Sequence, residues 1–241
     1  MVEFLIQFLF DFLKLLTYFL ICASTALIIR KFVKIPKELF RKLLHIILLG
    51  STPIFLYLFN SWQSAVFGSM LFAVLVYPIL SFAEHIEGYS KLLIERESGE
   101  IKRSLMLVFG MISVVIFLCW GMLNAKYLAL AVILSWGLGD AAAALIGKKY
   151  GRHHFVGKFF DEKKTFEGTM AMFVISFFTI FTILIYNINL TWYEYLLISG
   201  ITSAVVSVVE LSTKNGFDTL TCPSANLTVM MSLLYLFGGI M

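Results

Sequence analysis

The stretch that decides the fold is Trp136–Met170, WGLGDAAAALIGKKYGRHHFVGKFFDEKKTFEGTM. An apolar segment carries one acid, Asp140, close to its end. A glycine-rich basic loop follows, and a second apolar segment begins just beyond Lys163, Lys164, Thr165, Phe166, Glu167 and Gly168. Two apolar segments joined by a charged loop read as two membrane helices meeting at one face of a bilayer. A carboxylate set inside the first of them costs roughly 2.5–3.5 kcal/mol at the centre of a span, and less near its end. Asp140 lies about 10 Å along the helix from Gly147. It therefore calls for a reason beyond filling space.

Composition extends this reading to the whole chain. Of the 241 residues 60% are hydrophobic and only 14% charged, against about 25% charged in soluble domains. Hydropathy predicts about eight spans, near 8–29, 43–60, 62–82, 104–123, 127–147, 169–188, 192–209 and 224–240. The expected fold class is all-α: a polytopic membrane helix bundle forming a single domain over 1–241. Asp11 and Lys14 interrupt the first span, and Pro53 predicts a kink in the second. Cys22, Cys119 and Cys222 share no ligand spacing and read as reduced packing residues.

Charge placement sets the orientation. Lys and Arg number six in 30–42, four in 84–103, six in 148–168 and one, Lys214, in 210–223, while the intervening turns are nearly neutral. The positive-inside rule puts the basic loops in the cytoplasm and both termini outside. With no soluble domain left, chemistry is expected at the cytoplasmic face of the cell membrane. The expected partners are a membrane lipid and a soluble anion, not nucleic acid. Whether the chain forms a homo-oligomer is left open.

Five groups of residues carry the candidate chemistry. Asp140 suits a Mg²⁺ ligand or a base for a hydroxyl, because Mg²⁺ is usually held by one or two carboxylates plus substrate phosphates. The loop residues Gly147, Lys148 and Gly151 offer close backbone approach and positive charge, although basic loops also arise from topology alone. Lys163 and Lys164 stand before a helix start with Thr165 as the expected N-cap. Such a terminus offers N–H groups to phosphate. Arg41 and His45 share a helix face with Lys42 beside them, forming either a second phosphate clamp or a snorkelling collar. Glu210 and Asp218 close the set, each able to ligate a metal or orient a lysine; Glu84 and Asn226 are further polar groups on the same side. His153 and His154 are adjacent and so are not expected to share a ligand. No Walker loop or dinucleotide fingerprint occurs. These residues point to a polyphosphate meeting a lipid, and name neither.

The stretch GDAAAALIGKKYG at 139–151, followed by KKTFEGTMA at 163–171, resembles the dolichol kinase, phytol kinase and CTP-dependent diacylglycerol kinase family. RKLLH at 41–45 resembles its R-K-x-x-H element. ELSTKNGFDTLTCP at 210–223 resembles its acidic, glycine and D-N-x-x-x-P element, with Thr219 where Asn is usual. The resemblance covers about residues 40–230. It implies a kinase that moves the γ-phosphate of CTP to the hydroxyl of a polyprenol, isoprenol or diacylglycerol, with a divalent cation such as Mg²⁺. It also implies that Gly139, Asp140, Gly147 and the Lys163–Gly168 loop form the nucleotide site, with Arg41 and Lys42 completing it. Asp140 or His45 would take the hydroxyl proton. Two other readings stay open: a phosphatidate cytidylyltransferase, against which the K-R-x-x-x-D-x-x-D run is missing, and a transporter or non-catalytic membrane protein.

Overall fold

The computed structural model describes residues 2–85, 99–155, 164–213 and 216–238. All regular elements among them are helices: α1 (Val2–Phe32), α2 (Lys37–Gly50), α3 (Thr52–Tyr57), α4 (Trp62–Ala83), α5 (Glu100–Ile116, continued by a π-helical stretch Phe117–Met122), α6 (Lys126–Tyr150), α7 (Phe166–Asn187), α8 (Trp192–Ser212) and α9 (Asp218–Leu236). The chain divides into two compact units, Met1–Gly121 and Met122–Met241, where the sequence suggested one domain.

Seven of these helical segments are long and apolar enough to cross a membrane, counting α2 with α3 and α5 with its π-helical extension. They form the all-α polytopic bundle expected from the sequence. The eighth expected span falls in α9, which is 19 residues long but opens with Asp218, Thr219 and Thr221 and carries Asn226 and Thr228. These polar groups lower its hydropathy, although at 1.5 Å per residue it is still about 28 Å long. Its buried positions, Thr219, Cys222, Pro223, Asn226, Leu227, Met230 and Leu234, recur every three or four residues. It packs against α8 and α6 through one stripe.

In the first unit the expected break occurs at Ser51, between α2 and α3, and Pro53 is the second residue of α3. Phe8, Phe55, Phe59, Phe72 and Phe109 build much of the core. Asp11 is buried, and its carboxylate accepts from Gln7 Nε2 at 3.0 and 3.1 Å, with Lys14 Nζ at 3.4 Å. The acid inside the first span is thus satisfied by its own helix.

In the second unit α6 and α7 form an antiparallel pair with an exceptionally close approach. Gly139, Ala143 and Gly147 on α6 meet Ser176, Met172 and Gly168 on α7 in a register of four-residue steps. A methyl group placed on Gly139 would lie 2.5 Å from Ser176 Oγ, and one on Gly168 would lie 2.9 Å from the Ala143 carbonyl oxygen. Small residues at this spacing let two backbones touch, which is how apolar helices associate where lipid removes the hydrophobic drive. Ser176 Oγ donates to the Ser135 carbonyl at 2.9 Å and fixes the register. The turn into α8 carries a capping box from Thr191 and Glu194.

Candidate functional site

The site in the second unit grows from the α6–α7 crossing. α6 ends at Tyr150, and Gly151–Phe155 turns back alongside Lys164–Phe166. Phe166 N donates to the His153 carbonyl at 2.9 Å and Phe155 N to the Lys164 carbonyl at 3.3 Å, with an isolated antiparallel bridge between His154 and Thr165. The basic loop is therefore closed at its base. Gly147, Gly151 and Gly168 all serve this closure. A Cβ on Gly151 would lie 2.2 Å from the Gly147 carbonyl oxygen, and one on Gly147 would lie 3.0 Å from Thr165 Oγ1. Their glycine identity has a packing cause, where the sequence reading assigned it to ligand approach.

Thr165 caps α7 as expected: its Oγ1 accepts from Gly168 N at 3.2 Å, and the side chain is buried. The expectation that this helix start offers free N–H groups to phosphate is corrected. Phe166 N is taken by His153, Gly168 N by the cap and Thr169 N by the Thr165 carbonyl at 3.0 Å, while the Glu167 carboxylate accepts from its own backbone N–H. Glu167 also pairs with His153 Nδ1 at 2.7 Å, pinning the loop to the helix. The two histidines part company, one on Glu167 and one in the bridge, as neighbours in extended backbone do. Any phosphate at this corner is met by side chains.

The side chain that turns into the unit is Lys164. Its Nζ donates to the Glu210 backbone carbonyl at 2.8 Å and forms an ion pair with Glu210 Oε1. Glu210, at the end of α8, is 3% exposed. Its second oxygen, Oε2, is buried and has no hydrogen-bond donor among the described residues. Asp140 and Asp218 both lie within electrostatic reach of Glu210. Cys222, wholly buried on α9, feels all three acids and Lys164 together. Asp140 is 7% exposed. Asp218 opens α9, where its Oδ1 accepts from Thr219 N at 2.9 Å. Gly216, at φ +78°, supplies the left-handed backbone just before it.

So the structure gathers Asp140, Lys164, Glu210 and Asp218, contributed by α6, the segment before α7, the end of α8 and the start of α9. Lys163 lies outside the described residues. Lys148 is exposed on the last turn of α6, and Gly139 lies inside the α6–α7 contact. No three His, Cys, Asp or Glu side chains among the described residues form a ready metal cage.

Arg41, Lys42 and His45 belong to α2 of the first unit. Arg41 NH1 donates to Glu100 Oε1 at 2.8 Å and its NH2 pairs with Glu38, so its charge is committed to two carboxylates there. Lys42 is 8% exposed and His45 half-buried. Glu84 is likewise held, by Lys102 at 2.6 Å.

One polar anchor has no sequence signal beyond its residue type. Asn226 is fully buried, and its Nδ2 donates to the Val132 carbonyl at 3.0 Å and to Ser135 Oγ at 2.7 Å. An Asn within an apolar run marks a need for partners, but only tertiary structure names them.

The chain is similar to the phytol kinase of Synechocystis sp., with 28% identity over 233 residues covering 92% of this chain and 91% of that protein. No protein-family model and no solved structure matches the chain. The similarity to that phytol kinase runs nearly end to end and includes the motifs at 139–151 and 163–171 within its span.

Proposed function

We propose that this chain is a lipid kinase of the cell membrane that transfers the γ-phosphate of CTP to the hydroxyl of an isoprenoid alcohol or diacylglycerol. The observation that carries the proposal is the acidic cluster of buried Asp140 and Glu210 and half-buried Asp218, with Lys164 drawn onto it and one Glu210 oxygen without a donor among the described residues. Three carboxylates facing the one ammonium of Lys164 suit a divalent cation, and the basic loops argue for the cytoplasmic side.

A divalent cation, with Mg²⁺ expected, suits this donor set. Asp140 and Glu210, with Asp218 beside them, are hard oxygen ligands, and Glu210 Oε2 has no donor among the described residues. Mg²⁺ needs only one or two carboxylates, with water and phosphate completing its shell. When bound it supplies neutralisation of the β- and γ-phosphate charge.

The chain's own part is positioning and electrostatics. Lys164 stabilises the charge spreading over the transferred phosphoryl oxygens, and Glu210 holds its ammonium in place through two contacts. The lipid oxygen forms a bond to the γ-phosphorus as the bond from that phosphorus to the β–γ bridging oxygen breaks, so CDP leaves. The hydroxyl proton passes to a carboxylate, and Asp140 is the buried acid of α6 suited to take it.

The test is an assay of the purified full chain in lipid nanodiscs with γ-labelled and α-labelled CTP, a panel of lipid alcohols with phosphatidate beside them, and ATP as the comparison donor. The γ-label should enter lipid and the α-label should stay in CDP. Pyrophosphate release with α-label in lipid would establish a cytidylyltransferase instead. Absence of transfer to every alcohol would defeat the kinase reading.

A further inference from the structure

Asn226 sits in α9 one helical turn, about 6 Å, deeper than Cys222, which feels the charges of Asp140, Lys164, Glu210 and Asp218. The orientation of its amide is dictated by its neighbours. Ser135 Oγ donates to the Ala131 carbonyl at 2.5 Å, so its single proton is spent. Towards Asn226 it can only accept. The Val132 carbonyl is an acceptor by nature. Both contacts therefore require the NH2 side of the amide, at 2.7 and 3.0 Å. The carbonyl oxygen Oδ1 is then forced the other way, where it is buried and has no donor among the described residues. A flipped amide would set oxygen against oxygen twice.

The result is a fixed hydrogen-bond acceptor, fully enclosed and without a donor among the described residues, one helical turn along α9 from Cys222. Leaving such an oxygen unmet costs about 1–3 kcal/mol, and nothing about tying α9 to α6 requires it, since Nδ2 alone makes that tie. An oriented acceptor in apolar surroundings selects for a molecule that brings an O–H. It rejects an ether or ester of the same shape, because those leave it unpaired.

We infer that Asn226 Oδ1 is a specificity-determining contact that accepts a hydrogen bond from the hydroxyl of a long-chain alcohol. The binding part of this inference stands on the amide geometry. Only its consequence for turnover rests on the lipid-kinase reading. Through this contact the alcohol is held with its O–H beside the acidic cluster, and Asn226 makes no claim on the nucleotide.

The experiment separates the two parts. Thermal unfolding of the full chain in nanodiscs is followed with geranylgeraniol and with its methyl ether, in the absence of nucleotide. The alcohol should raise the unfolding midpoint with an apparent affinity about ten-fold or more above that of the ether. In Asn226→Ala that preference should vanish, and in Ser135→Ala, which loses the tie but keeps Oδ1, it should persist. Equal shifts by alcohol and ether in the unaltered chain overturn the inference and show that water alone occupies the acceptor. So does a preference that survives in Asn226→Ala. Should Asn226→Ala not fold, the alcohol–ether comparison on the unaltered chain decides. In the labelled-CTP assay Asn226→Ala should lower kcat/KM for the alcohol about ten-fold or more with KM for CTP unchanged. A loss shared equally by both substrates would mark a merely structural residue. An alcohol preference without any phosphoryl transfer would keep this inference and discard the kinase.

Discussion

Helices α1 and α6 look alike to any hydropathy scale and behave as opposites in the fold. Both are long apolar segments fit to cross a membrane, yet 17% of the most apolar stretch of α1 is buried within the chain against 61% for α6. α1 turns Phe4, Leu9, Phe10 and Leu13 outward, where lipid satisfies them as well as protein would. α6 replaces bulk with Gly139, Ala143 and Gly147, and its backbone lies against α7. In a bilayer, apolarity inserts a helix and small size packs it. Asp140 sits on the packed helix, where a buried carboxylate finds neighbours on every side.

The sharpest way to break this contrast is to give α7 a side chain where α6 leaves no room. Gly168→Val places its Cβ about 2.9 Å from the Ala143 carbonyl, which is backbone and cannot rotate away. Overpacking of this kind costs about 1–3 kcal/mol or more. Size-exclusion profiles and melting should show loss of folded protein, and a variant as stable as the parent would mean that the helices are not in contact. Next comes Asp140→Asn, which keeps the volume and removes the charge. Phosphoryl transfer should fall about 100-fold or more with the melting midpoint retained, and full activity would remove Asp140 from the mechanism.

The Lys164–Glu210 pair should give a smaller, coupled effect. Glu210→Gln alone should destabilise the chain by leaving Lys164 facing a neutral group, and the double substitution with Lys164→Met should recover part of that loss. Strict additivity in melting would show that the pair does not interact. Thr165→Ala removes the α7 cap and should cost about 1 kcal/mol, measured by the same melts. At the far end of the scale, Leu9→Ala on the lipid-facing side of α1 should change stability by less than about 0.5 kcal/mol. A large loss there would erase the difference between the two helices.

Much of this was legible before folding. Hydropathy located every long helix, though α1, α2 and α9 each begin six residues earlier than expected; Pro53 announced the break between α2 and α3, and Thr165 announced the α7 cap. The adjacent histidines take different partners, His153 the Glu167 carboxylate and His154 a backbone bridge to Thr165. The misreadings share a cause. Gly147, Gly151 and Gly168 look the same whether they admit a phosphate or another backbone, and the structure gives each of them a backbone to meet. The start of α7 looked like an anion site, but the loop returning from Gly151 takes the N–H of Phe166. Arg41 looked like a phosphate clamp, yet Glu38 and Glu100 hold it within its own unit. The polar residues of α9 give no hint in sequence of the partners they meet, such as Val132 and Ser135 for Asn226.

Sequence alone determined that this chain enters a membrane, where its helices run and that an acid must be sheltered near the end of α6. Those properties are sums over neighbouring residues, and local spacing records them. Tertiary structure alone decided that Lys164 closes on Glu210, 46 residues away, and that Asn226 reaches Ser135, 91 residues away. It also decided that each leaves an oxygen of the pairing without a donor among the described residues. A hydrogen bond between distant residues depends on the path of everything between them, so no window along the chain carries it.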